Sequence, residues 1–427
     1  MSMKKSVGVG LMGLGTIGNG VFKALSERDK TIAEATGCPV VLRKVLEKRP
    51  VAIEPRLLTK DVREILGDPE IDIVIELLGG EHPAVDFIKE ALMAGKHVVT
   101  ANKEVIAKHG AELLAIAKDK AVALQFEASV GGGIPLLLPL QHGLLANEIS
   151  TIYGIINGTT NYILTRMSQE RMGFSEALKK AQELGYAEAD PSNDVEGRDA
   201  TYKLAILASV GFHTTVRPEQ IYCEGISRLA EPDFRYAKEL GYEIKLLAIA
   251  KQAGGVVEAR VHPVFIPEDF LLAKVNGVYN AIQAEGDLVG KLIFYGQGAG
   301  AQPTSSAIVS DVIAIGQSIA SGKKVPSVMR RMQLKPVRPI SELETKYYLR
   351  MSIADQPGVL AQIAKILGDR SISIASVIQK ETDVATQTAM IVIMTHPARE
   401  EFMQQALAEM RAVSAVAEIC NLIRVEE

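Results

Sequence analysis

Residues 7–18 read VGVGLMGLGTIG, an apolar run that passes directly into a glycine-rich turn. The apolar run predicts a short strand, and the amphipathic pattern after the turn predicts a helix. In such a strand–turn–helix unit, Gly13 permits a tight turn, Gly15 lets the backbone approach a pyrophosphate, and Gly18 lets the helix pack closely on the strand. The helix N-terminus also presents amide groups to phosphate oxygens. The residues that we expect to bind a dinucleotide are Gly13, Gly15, Thr16, Ile17 and Gly18.

Three further apolar segments predict strands of the same sheet, and these are Val40–Leu46, Ile71–Leu77 and His97–Thr100. A helical stretch over Ala84–Ala94 separates the last two. Continuous apolar strands that alternate with helices are typical of a parallel sheet covered on both faces. We therefore predict an α/β fold with an N-terminal Rossmann-type parallel sheet in residues 1–135.

The pattern changes at a glycine hinge, SVGGGIP, at residues 129–135. Residues 136–322 predict an α+β catalytic domain, which ends in a helix over Ala307–Ala320. A polar, proline-punctuated linker is expected at residues 323–345. Residues 346–427 predict strand, helix, strand, strand, helix, strand, which is the ferredoxin-like βαββαβ order.

The composition restricts the class of protein. The 427 residues carry a net charge of −4, lack Trp and contain only 5% aromatic residues, which disfavours nucleic-acid and membrane partners. No apolar run approaches the roughly 20 residues that a bilayer-spanning helix needs. Cys38, Cys223 and Cys420 are far apart and odd in number, which favours a reducing cytoplasm over a disulfide framework. We expect a cytoplasmic protein whose partners are small molecules.

Residues at the end of the second strand should contact the ribose of the dinucleotide. Residues 43–49 read RKVLEKR there, and cationic side chains such as Lys48 can pair with a 2′-phosphate. NADP(H) is therefore favoured, although Glu47 leaves NAD(H) open and the stretch can also be a solvated loop. Thr100 and Lys103 follow the fourth strand, where ligands lie in such sheets. Lys103 can meet a cofactor or a substrate carboxylate there, or can be a plain surface lysine.

Asp199 and Lys203 are spaced i, i+4 and so share one helix face. An exposed pair of this kind is weak, but Leu207 and Val210 lie on the face of Lys203, and a lysine on an apolar stripe is unusual unless it is paired or functional. A lysine ammonium beside a carboxylate can protonate a carbonyl oxygen that becomes an alkoxide. The acidic run from Glu188 to Glu196 is either a solvated loop or a docking site for an amino group.

Two further segments allow a functional and a purely structural interpretation. Glu127 and Gly131–Gly133 combine a carboxylate with backbone carbonyls, which fits a monovalent cation or a simple hinge. Residues 157–161, NGTTN, follow a strand and provide caps for the next helix. The histidines lack zinc-type spacing, so a catalytic zinc is not expected.

With these motifs in order, the chain resembles the homoserine dehydrogenases over its whole length. The matching stretches are GLGTIG (13–18), TANK (100–103), EASVGGGIP (127–135), NGTTNYIL (157–164), GYAEADPSNDVEGRDATYK (185–203) and YGQGAGAQPT (295–304). The resemblance implies reversible NAD(P)H-dependent reduction of L-aspartate 4-semialdehyde to L-homoserine, on the route to threonine, methionine and isoleucine. No kinase segment precedes the glycine turn, so we expect the monofunctional form.

The resemblance also implies roles for individual residues. Lys203 is the proton donor in reduction and the base in oxidation, and Asp199 positions it and contacts the substrate. Glu188 binds the substrate amino group, and Lys103 lies near cofactor and substrate. Two glycines, Gly185 and Gly300, lie along the cofactor. The family's sodium-binding positions, chiefly main-chain carbonyls, correspond to Glu127, Val130, Gly132 and Ile134.

The stretch DQPGVL, residues 355–360, resembles the opening of an ACT regulatory module. We hypothesise that L-threonine binds there as an inhibitor, with Asp355 and Gly358 at the effector site, because a glycine-bearing loop can bring main-chain amides to an amino acid. The module can instead be a dimerisation element without a ligand. Either version predicts a homo-oligomer, a dimer or a tetramer.

Two other functions stay open at this point. A cofactor-sensing regulator without catalysis is disfavoured by the intact Glu188, Asp199 and Lys203 set. A dehydrogenase of 2-hydroxy acids usually needs a histidine–carboxylate pair, and residues 185–203 contain no histidine.

Overall fold

The computed structural model describes residues 4–323, 333–383 and 385–427. Residues 324–332 of the predicted linker lie outside the described residues. The chain divides into two compact units, each built from separate stretches. The first unit comprises Met1–Ile152, Tyr202–Glu219 and Tyr279–Lys335. The second unit comprises Tyr153–Thr201, Gln220–Val278 and Pro336–Glu427.

The strands, in chain order, are β1 (Val7–Met12), β2 (Val40–Leu46), β3 (Leu58–Thr59), β4 (Ile73–Glu76), β5 (His97–Thr100), β6 (Leu124–Gln125), β7 (Ile149–Ile155), β8 (Tyr222–Cys223), β9 (Tyr242–Ala253), β10 (Val256–Pro267), β11 (Tyr279–Gly286), β12 (Gly290–Gln297), β13 (Glu344–Ala354), β14 (Ile374–Asp383), β15 (Thr388–Thr395), β16 (Ala398–Arg399) and β17 (Val416–Val425).

The α-helices are α1 (Thr16–Glu27), α2 (Asp29–Thr36), α3 (Arg63–Leu66), α4 (Ala84–Met93), α5 (Lys103–Asp119), α6 (Gly158–Glu170), α7 (Phe174–Glu183), α8 (Ser192–Val195), α9 (Arg198–Gly211), α10 (Glu231–Glu239), α11 (Ala301–Ala320), α12 (Val359–Asp369) and α13 (Glu400–Arg411). Among the described helices, none has the length and apolarity that crossing a bilayer requires.

The first unit is built on a six-stranded parallel sheet in the order β3-β2-β1-β4-β5-β6. This order confirms the predicted Rossmann-type sheet, and it places the reversal of strand order between β1 and β4, where such folds bind ligands. The strands β1 and β4 are buried along their full length, as expected for a sheet covered on both faces.

Helix α11 belongs to the core of this sheet, because its Ile308, Val312 and Ile315 pack in one cluster with β1 and α1. It begins at Ala301, six residues before the predicted start of Ala307. The first turn reads AQPTSS, which has no apolar period, and Pro303 is tolerated there because backbone amides of the first turn have no intrahelical partner.

In the second unit the strand order β9-β10-β17-β13-β15-β14 makes one sheet. The strands β13, β14, β15 and β17 with helices α12 and α13 form the predicted βαββαβ domain. Its last strand, β17, pairs in parallel with β10, so the C-terminal domain and the strands before it share a sheet. Helices α12 and α13 cover one face, with Ile363 and Met403 in the core.

The opposite face of that sheet contains a buried ion pair. Arg350 on β13 donates to Asp233 on α10 from Nε at 2.6 Å and from a terminal nitrogen at 3.2 Å. The same carboxylate accepts from Tyr348 at 3.1 Å and from Asn421 at 2.9 Å. Since both charges are buried, the additional hydrogen bonds are needed to offset their desolvation.

Candidate active site

The glycine turn between β1 and α1 has the geometry that dinucleotide binding requires. Gly13 has φ +96°, and a Cβ on it would lie 2.6 Å from the Leu77 carbonyl oxygen. A Cβ on Gly18 would lie 2.2 Å from the Gly13 carbonyl oxygen, so the helix could not pack as it does. Gly15 faces open space and precedes α1 without a side-chain cap. A ligand can therefore approach the backbone at Gly15, and the N-terminus of a helix favours a phosphate.

At the end of β2, Glu47 accepts a hydrogen bond from the backbone amide of Leu14 in the glycine turn, at 3.1 Å. Arg49 binds the same carboxylate through Nε at 3.1 Å and a terminal nitrogen at 2.8 Å. These bonds, the one from Arg49 foremost, lower the pKa of Glu47 to about 2. The predicted cofactor residue Lys48 is exposed beside them. The sequence left open whether Glu47 binds the ribose of NAD(H), and it did not reveal that Arg49 forms an ion pair with this carboxylate.

The ends of β4 and β5 are held together by a buried acid that sequence reasoning missed. The Thr100 hydroxyl donates to Glu76 at 2.7 Å and accepts from the Asn102 amide at 2.9 Å. Burial raises the pKa of Glu76. The side chain of Thr100 is thus engaged within the protein, and Lys103 begins α5 as a half-buried residue. The signal that could have revealed Glu76 is an acid at the carboxyl end of an apolar strand.

Helix α9 carries the predicted Asp199 and Lys203 one turn apart. Asp199 is only 3% exposed, and its carboxylate accepts a hydrogen bond from the Asn157 amide at 2.8 Å. Asn157 also caps α6 by accepting from the Thr160 amide. Lys203 is half-buried above Leu207 and Val210, which are both buried. Asp199 and Lys203 are therefore not an exposed pair on the helix surface. The sequence predicted Asn157 only as a helix cap, and the structure shows that it also binds the carboxylate of Asp199.

The four acidic side chains of residues 188–196 differ in their hydrogen-bond partners. Asp190 accepts from Ser192, and Asp194 accepts from Asn157 at 2.7 Å. Glu196 accepts from Ser227 at 3.0 Å. The carboxylate of Glu188 is exposed and has no hydrogen-bond partner in the part of the chain that the structure describes. Of these four acids, Glu188 is the one whose carboxylate makes no hydrogen bond among the described residues, and it can accept one from an incoming ammonium group.

Gly185 opens the loop that leads to this run. It has φ +74° and is exposed, and the loop is held through the carbonyl of Tyr186, which accepts from Thr159 at 2.7 Å. The tilted rings of Tyr162 and Tyr186 lie 5.0 Å apart. The loop is thus anchored on helix α6, whose first turn follows Asn157.

The segment 127–138 folds around the carboxylate of Glu127, which accepts from the amides of Leu136, Leu137 and Leu138. Burial raises the pKa of Glu127, and its backbone amide donates to buried Asp311 at 3.0 Å. Within the described residues, no amide donates to the carbonyls of the predicted sodium positions, Val130, Gly132 and Ile134. These oxygens suit a hard monovalent cation.

The glycine hinge at residues 129–135 packs against the YGQGAG stretch at residues 295–300, within the first unit. Gly132 has φ +56°, and a Cβ on it would lie 2.6 Å from the Gly298 carbonyl oxygen. Gly133 donates its amide to the Gln297 carbonyl at 3.4 Å. Gly300 has φ +123° and caps α11. The hinge and the turn before α11 therefore require glycine on both sides.

The predicted effector residues lie where β13 passes into α12. Asp355 and Gly358 are both exposed, and Gly358 has φ +91° as the residue that precedes the helix. The Asp355 amide donates to the Gln387 carbonyl at 3.0 Å.

The glycine turn lies on a parallel sheet with the Rossmann strand order, and helix α9 carries the buried Asp199 and the half-buried Lys203. Together these features define an NAD(P)-dependent oxidoreductase. Three family models match the chain: "Homoserine dehydrogenase, NAD binding domain" over residues 13–127, "Homoserine dehydrogenase" over residues 135–313, and "ACT domain" over residues 347–415. The chain belongs to the homoserine dehydrogenase family.

Individual relatives agree with this assignment. The homoserine dehydrogenase of Pseudomonas aeruginosa is 42% identical, with 99% of each chain covered. A crystal structure of a homoserine dehydrogenase from Thiobacillus denitrificans is 42% identical and covers 99% of both chains with a TM-score of 0.94. A hyperthermophilic archaeal homoserine dehydrogenase in complex with NADPH is 25% identical, with 73% of this chain and 97% of that chain covered and a TM-score of 0.63.

Proposed function

We propose that this chain catalyses the reversible reduction of L-aspartate 4-semialdehyde to L-homoserine, on the route to threonine, methionine and isoleucine. The observation that carries the proposal is that Lys203 is half-buried on α9, one turn after a buried aspartate that is held by Asn157. Membership of the homoserine dehydrogenase family supports the choice of substrate.

Each site residue has a distinct role in this proposal. Lys203 gives a proton to the carbonyl oxygen during reduction and takes it back during oxidation, while Asp199 orients the ammonium and contacts the substrate. Glu188 binds the substrate amino group, and Lys103 lies near cofactor and substrate. When bound, the reduced nicotinamide supplies the hydride that the aldehyde carbon accepts. Gly185 and Gly300 lie along the cofactor, as do the glycine turn and Thr100.

NADP(H) is the favoured cofactor. The bonds from Arg49 satisfy the carboxylate of Glu47, which in an NAD-selective site would serve the ribose hydroxyls. Lys48 and Arg49 both remain exposed at this position and can pair with a 2′-phosphate. The archaeal relative solved with NADPH supports the same choice. NAD(H) remains a weaker alternative.

A sodium ion fits the segment 127–134. The carbonyls of Val130, Gly132 and Ile134 supply oxygens to which no amide of the described residues donates, and Glu127 fixes the loop that carries them. We assign the ion a structural role, because these residues order the hinge that packs on Gly298.

The C-terminal domain is proposed to sense an amino acid, with threonine favoured and Asp355 and Gly358 as candidate contacts. The family model for this domain supports a regulatory module. A homo-oligomer, either a dimer or a tetramer, is expected for such a module. The three free, widely spaced cysteines support a cytoplasmic location.

The test is a spectrophotometric assay at the nicotinamide absorbance with L-aspartate 4-semialdehyde. The protein should oxidise NADPH in the presence of the aldehyde and form homoserine, with a higher kcat/KM for NADPH than for NADH. Intact binding of NADPH without turnover would contradict catalysis and favour the cofactor-sensing regulator.

A further inference from the structure

The last residue of β4, Glu76, is a fully buried acid at the edge of the sheet where such folds bind a dinucleotide. Strand β4 is the neighbour of β1 at the reversal of strand order, on the side away from β2. Each half of such a sheet binds one mononucleotide, and the end of β2 serves the adenosine half. The ends of β4 and β5 therefore serve the nicotinamide half, to which Glu76 belongs.

The carboxylate of Glu76 is surrounded by hydrogen-bond donors. One oxygen accepts from the Leu78 amide at 2.7 Å, and the other accepts from the Thr100 hydroxyl at 2.7 Å. Burial raises the pKa of Glu76, whereas the hydrogen bonds from both neighbouring loops favour the ionised form. Since a backbone amide can only donate, these surroundings suit an ionised carboxylate.

No cationic side chain among residues 4–323, 333–383 and 385–427 forms an ion pair with this carboxylate. Other buried acids of the chain bind an arginine, as in the pairs Asp233–Arg350, Glu400–Arg424 and Glu426–Arg260. A buried charge without a counterion is costly, even when hydrogen bonds offset part of its desolvation. The negative charge of Glu76 is therefore available to a cationic group of a ligand.

The loop that follows β4 lies directly against the glycine turn. The Leu77 amide donates to the Met12 carbonyl at 2.8 Å, and a Cβ on Gly13 would lie 2.6 Å from the Leu77 carbonyl oxygen. Further along the loop, Gly79 and Gly80 are exposed, have φ +77° and +70°, and would direct a Cβ into open space. The loop thus presents bare backbone to a ligand bound at the turn.

The same carboxylate also fixes the loop between β5 and α5. The Thr100 hydroxyl, which donates to it, accepts from the Asn102 amide at 2.9 Å. The Asn102 side chain then donates to the Gly80 carbonyl at 2.7 Å. The loops after β4 and β5 are therefore joined to each other and to one buried anion.

We infer that Glu76 is a positioning residue for the nicotinamide: it shapes both loops of this subsite, and its charge favours the oxidised, cationic ring over the neutral, reduced ring. When the aldehyde carbon accepts the hydride, the C4–H bond of the reduced nicotinamide breaks and the ring becomes a cation, while Lys203 gives the proton to the oxygen. A fixed negative charge stabilises the positive charge as it develops. The inference rests on the proposed function for this chemical step, but not for cofactor binding.

The binding experiment measures the dissociation constants of NADP⁺ and NADPH by calorimetry on the full-length protein without substrate. Glu76→Gln removes the charge, while the amide oxygen can still accept from Leu78 and the amide nitrogen can donate to the Thr100 oxygen. The affinity for NADP⁺ should fall by about tenfold relative to that for NADPH, on the scale of an interaction between partly buried charges. A purely structural role would weaken both forms equally and leave their ratio unchanged.

Two further variants separate the charge from the fold. Glu70→Gln removes an exposed charge shortly before β4, at the opposite end of that strand, and should leave the affinity ratio unchanged. Glu76→Asp keeps the charge but shortens the side chain, so both cofactor forms should bind more weakly while their ratio stays near that of the unmodified protein. Circular dichroism checks that each variant is folded, and Glu76→Asp still tests the role of the charge if Glu76→Gln does not fold.

The enzymatic assay separates the chemical step from substrate binding. In Glu76→Gln the kcat for reduction of the semialdehyde with NADPH should fall by about tenfold, because the ring becomes positive in that direction. The KM for the semialdehyde should stay close to that of the unmodified protein, since Glu76 is fully buried and does not touch the substrate.

Three outcomes would overturn the inference: the affinity ratio is unchanged in Glu76→Gln, it changes as much in Glu70→Gln, or it changes as much in Glu76→Asp. If the ratio shifts as expected but the unmodified protein does not reduce the semialdehyde, the role of Glu76 stands and the proposed function fails. If the semialdehyde is reduced and the ratio does not shift, the reverse holds.

Discussion

Asn157 fixes two carboxylates from one amide nitrogen, since Asp194 and Asp199 accept from it at 2.7 and 2.8 Å. Asp199 is thereby held on a buried helix, one turn before Lys203. A carboxylate at this position can accept a hydrogen bond from a lysine ammonium, which limits the directions in which the ammonium can point. The arrangement suits a group that must deliver a proton to one oxygen.

Substitution Lys203→Ala should therefore lower the turnover number by about 10²–10⁴-fold, the usual contribution of a general acid. The assay is the initial rate of semialdehyde reduction at saturating NADPH. Lys179→Ala is a suitable control, because Lys179 is an exposed lysine on α7. Near-normal turnover in Lys203→Ala would remove this residue from the chemistry.

Cofactor choice is also decided by single residues. In Arg49→Ala the carboxylate of Glu47 loses its ion pair, so it repels a 2′-phosphate and becomes able to bind ribose hydroxyls. The ratio of kcat/KM for NADPH to that for NADH should fall by about tenfold or more. Arg56→Ala removes an arginine–glutamate pair with Glu54, exposed on both sides and nearby in sequence, and should leave the ratio unchanged. An unchanged ratio in Arg49→Ala would contradict the assignment.

At the scale of elements, sequence patterns predicted β1, β2, β4, β5, α4 and the C-terminal βαββαβ order because these have a clear apolar period, whereas the helix α5 and the strands β11 and β12 were not named. The two-residue strands β3 and β6 escaped prediction, since a period cannot be recognised in two residues. The first turn of α11 was missed because it is polar. The motif residues were found from spacing, but the partners Arg49, Glu76 and Asn157 depend on side-chain contacts that spacing does not reveal.

Close packing against Gly298 requires a glycine at position 132 of the hinge. In Gly132→Ala the new Cβ meets the Gly298 carbonyl at a positive φ, so the protein should lose about 1–3 kcal/mol of unfolding free energy. The measurement is urea unfolding with and without sodium chloride against a potassium chloride control, and the variant should also lose any stabilisation specific to sodium. Gly143→Ala, which meets no atom within 4 Å, should behave like the unmodified protein. Equal stability of the two variants would contradict the packing argument.

At the scale of the whole molecule, the C-terminal domain is tied into the second unit by β17 on β10 and by the ion pair of Asp233 with Arg350. The predicted domain limits at residues 135, 322 and 345 came from motifs and linker composition alone, and they stay predictions. Sequence reasoning could not foresee that β17 continues the sheet of the preceding domain, because strand pairing across 160 residues (264 to 424) leaves no local pattern.

The ion pair gives a test of this connection. Asp233→Ala leaves Arg350 buried without its partner, which should reduce the unfolding free energy by about 3–5 kcal/mol. The double variant Asp233→Ala/Arg350→Met removes the stranded charge and should regain part of the loss. Both are measured by urea unfolding followed by circular dichroism. A loss below about 1 kcal/mol in Asp233→Ala, the level of an exposed pair, would show that the pair does not hold the domain.

The most direct measurement of the central claim follows a labelled hydride. With NADPH that carries deuterium at the transferred position of nicotinamide C4 and L-aspartate 4-semialdehyde as substrate, the protein should yield homoserine with one deuterium on its C4 carbon, detected by mass spectrometry. Product formation should require Lys203. Homoserine without deuterium, or no homoserine while NADPH is bound, would contradict direct hydride transfer to the aldehyde at this site.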